Sequence, residues 1–346
     1  MKLLIHAING VGLGHIVRTS HVADALKIIR PDIDVIFVTN SKYSSFLKKK
    51  YKTYTLEKDT RAVVEGKYSY DDYLRYNSMA ISKIISHENP KGVLFDCELN
   101  KDLLMFCKNN SIKTVYVLRN STAERFLDIK SSLPVFDSVI IPHSKEDVPC
   151  DQKEFLLSCP TSFTGPILDS FIPSEETIRK NILISLGSGA NIPQNLPLFS
   201  VVDSFLKLLR TENSLIDNNQ VYVDIVVGPF YEGNLDFSGF TVRPTTECLA
   251  RDMYHAKLVI SGAGYNTINE IISTKTPAVI VPLSRRWDDQ LKRAKYFEEL
   301  GCIKVFQKDI LTPVREILKD WKSYHDKFPY IKSGNMQAAK IISNMM

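Results

Sequence analysis

Two short stretches of this chain combine glycine, polar side chains and a following helix in the way that anion and proton chemistry require. In Ser261-Gly262-Ala263-Gly264-Tyr265-Asn266-Thr267-Ile268-Asn269-Glu270, the apolar run Leu258-Val259-Ile260 precedes the glycines and the helical spacing Ile268, Ile271, Ile272 follows them. The order reads as strand, tight turn, helix start. Gly262 and Gly264 let a ligand approach the main chain, and the first helical turn offers unpaired N–H groups at the positive end of the helix dipole. Such a socket takes phosphate. Glu270 stands three residues after Thr267 and has two readings: the carboxylate of a capping box, or an acceptor for ribose hydroxyls.

The second stretch, Asn9-Gly10-Val11-Gly12-Leu13-Gly14-His15, follows the apolar start Met1 to Ile8 and leads into Val22, Ala25, Leu26 and Ile29 at helical spacing. A dinucleotide site would need an acidic residue at the end of the next strand, about 20 residues on. That strand, Asp34 to Asn40, ends in Thr39-Asn40 instead, so the dinucleotide reading loses its main support. His15 at a helix mouth can be held neutral by the helix dipole, the state a general base requires. Gly92-Val93-Leu94-Phe95-Asp96 closes a buried strand on a carboxylate. Asp96 either orients His15 or caps the next helix. Two further strands end in Arg119-Asn120-Ser121 and in His143, which places these residues at the same sheet edge. Ser185-Leu186-Gly187-Ser188-Gly189 repeats the pattern of strand and glycine loop.

Positioning these groups takes a parallel sheet in each half. Strands alternate with helices from residue 1 to about 164, and again from 181 to 325 through Asn181 to Gly189, Val221 to Gly228, Phe240 to Pro244, Lys257 to Gly262, Pro277 to Leu283 and Cys302 to Phe306. Between them, residues 165–180 carry Gly165-Pro166 and Pro173-Ser174-Glu175-Glu176 and read as a linker. Residues 326–346 end in a helix from Asn335. The fold class is therefore α/β, two Rossmann-like parallel-sheet domains facing each other across a cleft.

The 346 residues are 44% apolar and 24% charged, with a net charge of +5, which suits an anionic ligand and lacks the concentrated basic stripe of a nucleic-acid binder. Six cysteines without a C-x-x-C pair read as reduced thiols of a cytoplasmic protein, and no apolar run reaches the ~20 residues that span a bilayer. The basic run Lys48-Lys49-Lys50-Tyr51-Lys52 reads as a solvated face, with peripheral contact to anionic lipid as its alternative. Asp32-Ile33-Asp34 has metal-binding spacing but begins a strand away from the ligand edge, so no metal requirement is expected.

The glycine turn, the helix with Glu270, the strand closing on Pro282 and then Asp289-Gln290 resemble the nucleotide-sugar half of GT-B glycosyltransferases of the MurG-like and UDP-glucosyl types. Gly12-x-Gly14-His15-x-x-Arg18 resembles a group of predicted GT-B transferases and nucleotide-sugar hydrolases of the PseG type. The resemblance implies that Gly262, Ala263, Gly264, Tyr265, Asn266 and Thr267 hold a diphosphate, with Gly187 and Ser188 nearby. It implies that Glu270 holds the ribose and that Asp289 and Gln290 hold the donor sugar, a UDP-sugar being the first expectation. His15, oriented by Asp96, would be the catalytic base; Gly12, Gly14, Arg18, Arg119 and Asn120 would lie on the acceptor or phosphate side. The implied function is metal-independent, inverting transfer from a nucleotide sugar to an acceptor hydroxyl. The alternatives are a nucleotide-sugar hydrolase, an epimerase and a non-catalytic nucleotide- or carbohydrate-binding module. The Tyr-rich stretch Arg61 to Asn89 reads as an insertion that shapes an acceptor pocket.

Overall fold

The computed structural model describes residues 1–346 apart from 9–11, 58–61, 64–65, 121, 148–149, 170–178, 180 and 212–221. The first glycine of the N-terminal loop, Ser121, the Pro173 to Glu176 part of the linker and the start of the Arg61 stretch lie outside the described residues.

The chain forms two compact units, Met1–Leu168 with Lys332–Met346, and Asp169–Ile331. Unit 1 runs β1 (Lys2–His6), α1 (Gly14–Ile29), β2 (Asp34–Thr39), α2 (Ser45–Lys48), β3 (Lys52–Thr55), α3 (Tyr70–Glu88), β4 (Gly92–Asp96), α4 (Lys101–Asn109), β5 (Lys113–Val117), α5 (Ala123–Lys130), β6 (Ser138–Ile141), α6 (Cys150–Leu157) and β7 (Thr161–Phe163). Unit 2 runs β8 (Asn181–Ser185), α7 (Leu196–Thr211), β9 (Tyr222–Val226), β10 (Thr241–Arg243), α8 (Leu249–His255), β11 (Ala256–Gly262), α9 (Tyr265–Thr274), β12 (Ala278–Val281), α10 (Gln290–Glu299), β13 (Ile303–Val305), α11 (Leu311–Lys319) and α12 (Trp321–His325). The last helix, α13 (Asn335–Met345), returns to unit 1.

Every named pairing is parallel. The sheet orders are β3-β2-β1-β4-β5-β6-β7 and β10-β9-β8-β11-β12-β13. Apolar runs such as Leu3-Leu4-Ile5 and Val93-Leu94-Phe95 are buried on both faces, as a parallel sheet covered by helices demands. Each such side chain contributes about 1.5–3 kcal/mol on burial.

Two expectations change. The Arg61 to Asn89 stretch is mostly α3, the crossover helix that carries the chain from edge strand β3 to β4 on the far side of β1. Ser69 caps its start, accepting from Asp72 N at 3.1 Å, and Tyr73, Asn77, Ile81 and Ile85 at four-residue spacing form its buried stripe. It is required by the topology rather than inserted into it. The linker also begins later than 165. Asn335, buried at the start of α13, accepts from Leu168 N at 3.0 Å and donates to Leu168 O at 2.7 Å, which fixes residues 165–168 within unit 1. At the other boundary, residues 326–331 belong to unit 2 and are not helical. Ala338, Ala339 and Ile342 of α13 then pack in one apolar cluster with Ile16, Val22 and Leu26 of α1.

Candidate functional site

In each unit the strand order reverses beside the first strand. Chain crossovers leave in opposite directions there, and ligands bind at the carboxyl ends of the two strands that flank such a point. In unit 1 those strands are β1 and β4; in unit 2 they are β8 and β11. The candidate residues cluster at these two places.

At the first, His15 is the second residue of α1, and its side chain is 28% exposed. Its Nδ1 lies 2.9 Å from Asp96 Oδ2 and 3.0 Å from the Asp96 carbonyl oxygen. Both neighbours are acceptors, so Nδ1 carries the proton and Nε2 is left as the basic nitrogen. Asp96 is wholly buried, yet its pKa falls to about 2, because the Arg18 charge and the His15 hydrogen bond outweigh the burial that opposes ionisation. Arg18, also buried, grips the carboxylate in a fork, Nε to Oδ1 at 3.1 Å and Nη2 to Oδ2 at 2.7 Å. The guanidinium expected on the phosphate or acceptor side is thus committed to Asp96.

The turn after β4 explains how one residue presents two oxygens to His15. Cys97 adopts a left-handed backbone, φ 61°, a conformation that costs a non-glycine residue energy and that surroundings must enforce. Tyr116 Oη and Arg125 Nη2 donate to the Cys97 carbonyl at 2.9 and 3.1 Å, and Cys97 N donates to Val117 O at 3.1 Å. His15, Asp96 and Cys97 bring three potential metal-ligand atoms within 4.8 Å of one another. The Arg18 guanidinium, bonded to both Asp96 oxygens and 3.3 Å from Cys97 Sγ, puts a fixed positive charge in that cluster and so opposes a second cation. Behind it, His6 is fully buried and its pKa drops to about 3, chiefly from burial and then from the neighbouring His15, so it is neutral.

Asn120 and His143 are used locally: Asn120 N donates to His143 Nε2 at 2.9 Å, and Asn120 Nδ2 donates to Asp147 O at 3.1 Å. Arg119 lies close enough to Cys97 to act on its thiol electrostatically. Gly12 leads into α1, and Gly14 is its first residue. Of Asp32-Ile33-Asp34, Asp32 is taken by Arg30 through two bonds of 2.8 Å, away from this edge.

At the second place, Ser261 is in register with Ser185 and Gly262 with Val281, so the loops after β8, β11 and β12 emerge side by side. Helix α9 starts at Tyr265 with Gly264 as N-cap, no side-chain capping bond and no acidic residue in its first turn. No carboxylate of its own first turn therefore offsets the positive end of its dipole, which lies at the glycine turn. Thr267 lies inside the helix, so the capping box between Thr267 and Glu270 does not form. Glu270 is instead buried, and its pKa climbs to about 8, first from burial and then from the charge of Asp169. Asp169 escaped the sequence reading, since 101 residues separate the pair and no local pattern joins them.

Gln290 is buried and its Oε1 accepts from Ala263 N at 3.2 Å and Leu283 N at 3.0 Å, tying the glycine turn to the end of β12. Arg293, one turn on and also missed, donates from Nη1 to Ala263 O at 2.7 Å and from Nη2 to Asp288. Asp289 is exposed and caps α10, accepting from Lys292 N at 3.0 Å. Beside the turn, Gly187 and Gly189 both have positive φ, 66° and 73°. A Cβ on Gly189 would stand 2.1 Å from Val227 O, so this loop interlocks with the one at Gly228. Ser188 O accepts from Phe230 N at 3.0 Å within that interlock.

Two parallel-sheet α/β units with glycine loops at their reversal points define the GT-B architecture. Solved structures of this fold align along almost the whole chain: a kitacinnamycin glycotransferase (TM-score 0.67, 13% identity, 99% of this chain and 98% of that one) and the UDP-GlcNAc 2-epimerase from Neisseria meningitidis bound to UDP-GlcNAc (TM-score 0.61, 13% identity, 99% of each). More specifically, residues 198–343 match the glycosyltransferase family 28 C-terminal domain. Over 104 residues the chain is 33% identical to the UDP-N-acetylglucosamine--N-acetylmuramyl-(pentapeptide) pyrophosphoryl-undecaprenol N-acetylglucosamine transferase of Clostridium kluyveri. That match spans 28% of this chain and 30% of the relative. The solved structures, at 13% identity, show the fold, and the domain match gives unit 2 the likeness of a glycosyltransferase family 28 C-terminal domain.

Proposed function

We propose that the protein transfers a sugar from a nucleoside diphosphate donor, a UDP-sugar, to an acceptor hydroxyl, without a metal and with inversion. The observation that carries this reading is the His15 imidazole, whose Nδ1 proton is held between two oxygens of Asp96 so that Nε2 is the basic nitrogen. Nε2 takes the acceptor proton as the hydroxyl oxygen attacks the anomeric carbon; Asp96, ionised, stabilises the imidazolium that results. The C–O bond to the diphosphate breaks in the same displacement, which inverts the anomeric centre. Negative charge growing on the diphosphate meets the N-terminus of α9, whose dipole carries about half a positive charge there. Glu270 accepts the ribose hydroxyls, and the loop at Gly187 and Ser188 flanks the phosphates. The UDP donor follows the names of the partial relatives, which specify UDP-N-acetylglucosamine.

The acceptor is a hydroxyl-bearing molecule. Those relatives act on a sugar linked to pyrophosphoryl-undecaprenol, and a membrane-borne acceptor would call for peripheral contact with the cytoplasmic bilayer face. Exposed Lys48 and Lys49 suit anionic lipid, whereas Lys50 and Lys52 turn to Asp24 and Glu88. No helix among the described residues is long and apolar enough to cross a membrane.

The test is product formation by His15→Ala alongside calorimetric donor binding, both in EDTA. Turnover should fall by about 10²–10⁴-fold with donor affinity retained. Unchanged turnover would remove His15 from the chemistry. Loss of wild-type activity in EDTA, restored by Mn²⁺, would overturn metal independence. Wild type incubated with donor alone separates transfer from hydrolysis, because a hydrolase releases free sugar stoichiometrically without acceptor.

A further inference from the structure

Between the glycine loops of unit 2 lies a cation whose side-chain hydrogen bond among the described residues goes to a neutral amide. Arg285 follows β12, and its Nη2 donates to Asn195 Oδ1. Asn195 follows β8, is buried, and donates from Nδ2 to Ala190 O at 2.6 Å, which anchors it to the end of the Gly187 to Gly189 loop. β11 lies between β8 and β12, so the Arg285–Asn195 bond joins the two loops that flank the Gly262–Gly264 turn and spans the carboxyl end of β11. The strap is tied to that turn from below as well: Gln290 bonds both Ala263 N and Leu283 N, two residues before Arg285.

The charge balance of this strap is incomplete. Arg285 is half-buried, and Asn195 offers it only a neutral amide. Asp288, the carboxylate nearest in the chain, is bonded by Arg293, which also holds Ala263 O. Burial accordingly pulls the Arg285 pKa below the ordinary guanidinium value, with Asp288 opposing only in part. A diphosphate has the opposite deficit: a helix N-terminus supplies about half a charge, and a full cation with a forked donor geometry is what phosphate oxygens select.

We infer that Arg285 is a ligand of the donor diphosphate, held in readiness by Asn195 across the mouth of the glycine turn and exchanging the amide for phosphate oxygens when the donor binds. This rests on the reading of unit 2 as the donor site. It assigns Arg285 to binding and to stabilising the leaving group, and Asn195 to positioning.

The experiment is calorimetric titration of wild type, Arg285→Gln and Arg285→Lys with UDP, dTDP and GDP, and with the nucleoside matching whichever diphosphate binds tightest. Arg285→Gln should weaken that diphosphate by about 10–100-fold, as loss of a charged hydrogen bond does, and leave the nucleoside unchanged. Arg285→Lys, which keeps the charge without the fork and guards against a folding defect in the glutamine variant, should recover part of the loss. Equal diphosphate affinity in wild type and Arg285→Gln overturns the proposal while the donor site stands. An equal loss of nucleoside and diphosphate overturns it too, by making Arg285 a structural strap only. Wild type that binds none of the diphosphates removes the donor-site reading, and this proposal with it.

Discussion

Replacing Glu270 by glutamine should stabilise the protein at neutral pH and abolish its response to nucleotide. The folded state holds the carboxyl proton up to about pH 8, against an ordinary value of 4.5, because the group is buried and faces Asp169. Between those two pH values the native state binds more protons than the unfolded chain, so stability declines as pH rises through the window. At about 1.36 kcal/mol per pH unit, the cost accumulated by pH 7 is ~3 kcal/mol. Glutamine keeps the shape and carries no such cost. Relaxation of the site lowers the recoverable part to ~1–3 kcal/mol, or about 2–4 °C in melting temperature for each kcal/mol. Urea melts of wild type and Glu270→Gln at pH 4.5, 7 and 8.5 measure it, and the gain should be near zero at pH 4.5 and largest at 8.5. Nucleotide affinity of the wild type should move the other way, strengthening up to about pH 8 as the ionised carboxylate becomes able to accept from both ribose hydroxyls. A stability difference of the same size at every pH would refute the buried-acid argument. Retained nucleotide stabilisation in the variant would refute the ribose role.

Arg18→Met should cost about 3–5 kcal/mol, since it strands the buried Asp96 charge. In wild type the stability from Asp96 is present above its ordinary value near 4 and is lost as pH falls toward about 2; the variant should lose that acid-sensitive step, which melts between pH 2 and 5 would reveal. Two neighbouring glycines separate backbone strain from collision. Gly187→Ala meets nothing within 4 Å and pays only for its positive φ, about 1 kcal/mol, whereas Gly189→Ala also drives a Cβ into Val227 O and should cost clearly more in the same denaturation assay.

The parts of the site carried by backbone chemistry were legible in the sequence, and the parts carried by distant pairing were not. Gly262 and Gly264 between an apolar run and a helical period announce a strand, turn and helix start, because few other residue orders permit that path. The helix boundary was less visible: Thr267 and Glu270 have capping-box spacing, but β11 and its turn place the N-cap at Gly264, and Glu270 is carried inside to meet Asp169. Strand alternation signals a parallel sheet without giving its order. Only the order β2-β1-β4 brings the start of α1 beside the end of β4, and it converts three separate observations, His15, Arg18 and Asp96, into one hydrogen-bonded unit across about 80 residues of chain. That unit also changes the meaning of Arg18. Its position one turn past His15 suggests a ligand for substrate, yet a guanidinium whose fork already closes on a buried carboxylate is a positioning group for Asp96 and, through it, for the His15 ring. In unit 2 the same topology, with β11 seated between β8 and β12, brings Arg285 and Asn195 together from the loops on either side of it, a pairing that spacing along the chain could not have assigned.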